Sequence, residues 1–166
     1  MKTNLLTVIG IFWVLGCQTK EEKYVQTEFD QLKGTWEINT VDLPSSAADS
    51  LKNFFKKGEF LFYNCKYDAK KFAGAEACSG ETSINDSLFG LFYNYNYQNK
   101  VFKIFISVNS ASPTISKDRR YYLSAAALLD GYWKITFTGT TLNAERVLDK
   151  EEKGDNKSIG FSATRK

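Results

Sequence analysis

A period of two runs through this chain and constrains its fold more than any other feature. Phe102, Ile104, Ile106 and Val108 form one alternating row, and Trp133, Ile135 and Phe137 alternate with Lys134, Thr136 and Thr138. Phe89, Leu91, Tyr93, Tyr95 and Tyr97 form a third such row. Successive side chains of a strand point to opposite faces, so each row marks one buried face of a β-strand. Shorter runs carry the same sign at Trp36 and Ile38, from Glu59 to Cys65, at Leu142, Ala144, Arg146 and Leu148, and at Ile159, Phe161 and Ala163. Gln98-Asn99-Lys100 and Thr138-Gly139-Thr140 read as the turns of two hairpins. Many short strands joined by polar turns predict a sandwich or an antiparallel barrel.

Two segments break the period. Tyr24 to Lys33 reads as a short helical turn leading into Gly34. Ser46 with Asp49 resembles a capping box, and Ala47, Leu51, Phe54 and Phe55 follow at helical spacing before Lys56, Lys57 and Gly58. One short amphipathic helix, Ser46–Lys57, is therefore expected between the first two strands.

The aromatic content is high, with 13 Phe, 9 Tyr and 3 Trp, and histidine is absent. A chain without histidine runs no Ser-His-Asp or Cys-His nucleophile and offers no imidazole to a metal. A net charge of +3 leaves no basic footprint for nucleic acid. Glu59, Glu76, Glu81, Asp86, Asp130 and Glu145 show no spacing that pairs two carboxylates at one site. No enzyme activity, metal or cofactor is expected.

The N-terminal segment reads as an address. Lys2 precedes an uncharged run from Leu5 to Gly16, too short beside the roughly 20 apolar residues of a spanning helix. A positive start, a short apolar core and a small residue before the cut make a secretory signal over residues 1–16. Val14-Leu15-Gly16-Cys17 resembles the bacterial lipobox. That resemblance implies lipidation of Cys17, a membrane anchor, and a tether over residues 17–31. Lys20-Glu21-Glu22 resembles the signal that exports lipoproteins to the cell surface in some Gram-negative bacteria, and is equally a plain solvated tether. The expected place is the outer membrane, with surface exposure left open.

With Cys17 assigned to lipid, Cys65 and Cys78 remain as an even pair in an oxidising compartment. Two cysteines without histidine do not complete a zinc site, so a structural disulfide is expected.

Leu32-Lys33-Gly34-Thr35-Trp36-Glu37-Ile38 resembles the Gly-x-Trp first strand of lipocalins, especially the bacterial lipocalin-like lipoproteins. Trp133-x-Ile135-x-Phe137 with Leu142 resembles their late hairpin. The resemblance implies a mainly β domain over residues 32–166, an up-and-down eight-stranded antiparallel barrel. It also implies that Gly34 and Trp36 close one barrel end, with Arg146 or Arg165 lying across the Trp36 ring.

Two functions follow. In the first, the barrel binds a small hydrophobic molecule through Tyr93, Tyr95, Phe102, Ile104, Trp133 and Ile135. In the second, these residues fill the barrel, and the protein is a monomeric surface interaction or scaffold module without a ligand.

Overall fold

The computed structural model describes residues 18–43, 58–72, 77–84, 87–107, 129–147 and 159–166. The expected Ser46–Lys57 helix lies outside the described residues. Helix α1 spans Lys20–Leu32 and is followed by β1 (Gly34–Asp42), β2 (Gly58–Phe62) and the single-turn helix α2 (Ala69–Phe72). Then come β3 (Cys78–Ile84), β4 (Ser87–Asn96), β5 (Val101–Ser107), β6 (Gly131–Thr138), β7 (Thr141–Val147) and β8 (Gly160–Arg165). The eight strands pair antiparallel in sequence order, and β8 returns to β1, so the sheet closes into an up-and-down barrel. Closure leaves no unpaired sheet edge.

Inward rows match the alternation in the sequence. Phe89, Leu91, Tyr93 and Tyr95 of β4 face Phe102, Ile104 and Ile106 of β5, and all are buried. Strand β3 was not legible: Cys-Ser-Gly-Glu-Thr-Ser-Ile carries almost no apolar signal. Its inward face is Cys78, Gly80, Thr82 and Ile84. A Cβ at Gly80 would collide with the Leu61 carbonyl, so the small residue is what lets β2 and β3 pair closely here. The Thr82 hydroxyl, fully buried, donates to the Glu59 carbonyl at 2.9 Å.

Helix α1 starts four residues before the helical segment expected from Tyr24 to Lys33 and takes up most of the tether. Thr19 is its N-cap: the Thr19 hydroxyl accepts from the Glu22 amide at 3.1 Å, and Glu22 Oε2 accepts from the Thr19 amide at 2.8 Å. That reciprocal box starts the helix at Lys20, inside the charged stretch. Val25, Phe29 and Leu32 lie on one face and are fully buried against the barrel. Three apolar residues spaced over two turns were too few to announce so long a helix.

Strands β1, β3, β5 and β7 start at the end where β2, β4, β6 and β8 finish. Helix α1 lies at this end, with the β2–β3 connection, the Tyr97–Lys100 turn and the Gly139–Thr140 turn. Among the described residues no helix is long and apolar enough to cross a membrane.

Candidate functional site

Gly34 has φ +119°, a backbone conformation that L side chains rarely adopt. It turns the chain from α1 into β1 so that the Trp36 indole points back under the helix. Trp36 Nε1 donates to the Leu32 carbonyl at 2.6 Å, and the ring is 1% exposed. The Arg165 guanidinium lies 4.6 Å from the ring centroid, and Trp36 and Arg165 are register partners on β1 and β8. Arg165 also donates to the Gln31 carbonyl, tying β8 to α1. Arg165 is therefore the arginine on Trp36.

Arg146 takes another post. It is the register partner of Trp133, and its Nε lies 3.1 Å from where a Cβ on Gly131 would stand. Trp133 is fully buried and its Nε1 donates to the Leu129 carbonyl at 2.8 Å. Gly131 has φ +151°. The two corners share a sequence phrase: Leu32-Lys33-Gly34-Thr35-Trp36-Glu37-Ile38 against Leu129-Asp130-Gly131-Tyr132-Trp133-Lys134-Ile135. They also share neighbours in mirror order. Trp36 stands between Arg165 of β8 and Phe60 of β2, and Trp133 between Arg146 of β7 and Phe102 of β5. A two-fold axis across the barrel would exchange β1 with β6, β2 with β5 and β8 with β7. This repeat, Leu-x-Gly-x-Trp-x-Ile, was the sequence signal for the second corner.

The six residues proposed for a ligand lie in the core. Tyr93, Phe102, Ile104 and Trp133 expose 0–2% of their surface, and Tyr95 exposes 7%. Protein covers nearly the whole surface of the first four. Ile135 is partly buried against the same cluster. Rings follow one another through the barrel: Trp133 to Phe161 at 5.1 Å, Phe161 to Phe60 at 5.2 Å, Phe60 to Phe62 at 5.9 Å. Phe62 meets Tyr93 at 5.2 Å, and Tyr93 meets Phe29 of α1 at 5.6 Å. Tyr93 Oη donates to the Tyr63 carbonyl at 2.8 Å, so its polar tip is satisfied within the fold. Burial pushes its pKa upward. The Tyr95 pKa rises for the same reason first, and then through its bond to Tyr24.

Cys65 and Cys78 form the expected disulfide, with Cα atoms 5.7 Å apart. It staples the β2–β3 connection at the α1 end. Gln26 of α1 fastens the same connection twice, donating to the Cys65 carbonyl at 3.0 Å and accepting from the Tyr67 amide at 2.9 Å. Tyr67 Oη donates to Glu21 at 2.9 Å; burial, then this bond, push its pKa up to about 12.

Two surface hollows flank α1. One, of about 580 Å³, is lined by Tyr67 and Phe72, by Glu22 and Asp68, and by the lysines Lys66, Lys70 and Lys71. The other, of about 400 Å³, lies by Asp30, Gln31, Phe137 and Arg165. Among the described residues no three Cys, Asp or Glu side chains gather as metal ligands. No family model, curated protein or solved structure matches this chain. Geometry therefore defines the class on its own: an eight-stranded antiparallel up-and-down barrel, consistent with a lipocalin-like one.

Proposed function

We propose that this chain is a lipid-anchored lipoprotein of the cell envelope whose lipocalin-like barrel is a filled, non-enzymatic interaction module. Cys17 carries the lipid, residues 1–16 are the signal, and the protein sits as a monomer on the outer membrane. The observation that carries the filled-barrel reading is the run of packed rings from Trp133 to Phe29. A hydrophobic ligand among Tyr93, Phe102, Ile104 and Trp133 would have to part side chains that already exclude water. Pockets for small molecules ordinarily offer about 300 Å³ or more, whereas these four residues leave at most 2% of their surface exposed. Binding by such a module falls to its outer surface and its ends.

The test is mass spectrometry on the protein purified from membranes. The expected result is acyl chains on the Cys17 peptide and no small molecule co-purifying in stoichiometric amount. A hydrophobic compound recovered one-to-one with the protein would overturn the filled barrel, and an unmodified Cys17 would overturn the anchor.

A further inference from the structure

Only Gln18 and Thr19 separate Cys17 from the first residue of α1. A chain advances at most about 3.6 Å per residue, which keeps the Lys20 Cα within about 11 Å of the Cys17 Cα. If Cys17 is anchored as proposed above, the start of α1 lies near a Debye length from the bilayer, about 8–10 Å. A charged surface at that range feels the headgroups.

The larger hollow opens at this place. Its lining begins with Gln18, the residue after the anchor, and continues through Glu22, Lys66, Asp68, Lys70 and Lys71, three lysines to two carboxylates. Tyr67 and Phe72 give it an aromatic wall, their rings 5.1 Å apart and both packed on Phe29. Among the described residues, the carboxylates around it each accept a hydrogen bond within the fold, which turns them toward backbone or tyrosine donors and away from the lysines. Glu22 accepts from the Thr19 amide, Glu21 from Tyr67 Oη, and Asp68 from the Lys70 and Lys71 amides at 3.0 and 3.4 Å. The three lysines are exposed, and none has a carboxylate within ion-pair distance among the described residues. Lys20 and Lys23 extend the cationic surface along the outer side of α1.

We propose that this hollow docks on the phosphate headgroups of anionic phospholipids in the membrane that holds the anchor. Lys66, Lys70 and Lys71 bind the phosphates. The α1 end then lies against the bilayer, and the opposite end of the barrel points into the aqueous space. The inference rests on the anchor at Cys17, and its test keeps the two apart.

The lipidated full-length protein is reconstituted in phosphatidylcholine vesicles, with or without phosphatidylglycerol, and its lysines are labelled with a soluble amine reagent. Labelling of Lys66, Lys70 and Lys71 should fall several-fold in the anionic vesicles, while Lys103 and Lys134 on the barrel wall stay unchanged. Lys20 and Lys23 should be protected along with Lys66, Lys70 and Lys71, and in a K66Q/K70Q/K71Q variant with unaltered thermal unfolding that protection by phosphatidylglycerol should be lost. Equal labelling in both vesicles, with Cys17 shown by mass to be acylated, overturns the docking while leaving the anchor intact. Protection by inorganic phosphate alone in phosphatidylcholine vesicles also overturns it, in favour of a free-anion site. An unmodified Cys17 removes the anchor and the docking together.

Discussion

Trp36 and Trp133 are held by the same local device and differ in what completes each corner. Both indoles donate to a leucine carbonyl four residues earlier, across a glycine of positive φ. At Trp36 the complement is a cation over a ring: Arg165 covers the indole, Phe137 packs 5.9 Å away, and α1 lies alongside. At Trp133 the complement is Arg146 of β7, set against Gly131. Asp130 accepts from the Ile106 amide at 2.6 Å and feels Arg146, while burial raises its pKa. That bond reaches β5 two residues beyond its register pair Ile104 with Gly131. A short motif can thus place a tryptophan, but the neighbouring strand decides how the corner is finished.

The largest expected effect tests whether the two corners are equal. Trp36→Ala and Trp133→Ala should each cost about 3–5 kcal/mol in chemical denaturation, as large-to-small core changes. Against a total of about 5–15 kcal/mol, either variant is marginal. A Trp133→Ala protein as stable as wild type would break the equivalence of the corners.

The disulfide separates them next. Cys65→Ser with Cys78→Ser should cost about 2–4 kcal/mol. Native-state amide exchange should then speed up in α1 and residues 65–78 and change little around β6 and β7. Uniform acceleration would mean that the two ends unfold as one unit.

The arginines differ in kind. Arg165→Gln should cost about 0.5–2 kcal/mol, the worth of a cation–π contact. Arg146→Gln should cost more and should carry a pH signature. The Asp130 pKa is already raised in the fold, so stability from its proton is present at low pH and lost as pH rises through the folded value. Removing the cation raises that pKa further, so the Arg146→Gln deficit should be smaller at about pH 4 than at pH 7. A deficit independent of pH would mean that Arg146 acts by packing alone.

The smallest effect is confined to the α1 end. Tyr67 and Tyr93 have raised pKa values, so their contribution is full below about pH 10, the ordinary tyrosine value, and is lost above it. Stability should fall on alkalinisation, and Tyr67→Phe should shallow that fall. An unchanged alkaline limb would remove Tyr67 as its source.

Much of this architecture was legible. The alternating rows of β4, β5 and β6, the two hairpin turns and the cysteine pair were all in the sequence, because each depends on neighbours near in the chain. Strand β3 was not, since Gly80 and Thr82 face inward for reasons set by the Leu61 and Glu59 carbonyls of β2. The length of α1 was hidden because its cap lies within a charged run that reads as tether.

By itself the sequence determined which side chains share a strand face, where the chain reverses, and that two glycines each precede a buried tryptophan by two residues. Only the tertiary structure decided that Arg165 serves Trp36 and Arg146 stands beside Trp133, that β8 returns to β1, and that the candidate ligand residues pack against one another. Alternation is a property of one strand. Register across strands more than a hundred residues apart, and the summed volume of rings converging inside a closed sheet, are set only when all eight strands meet.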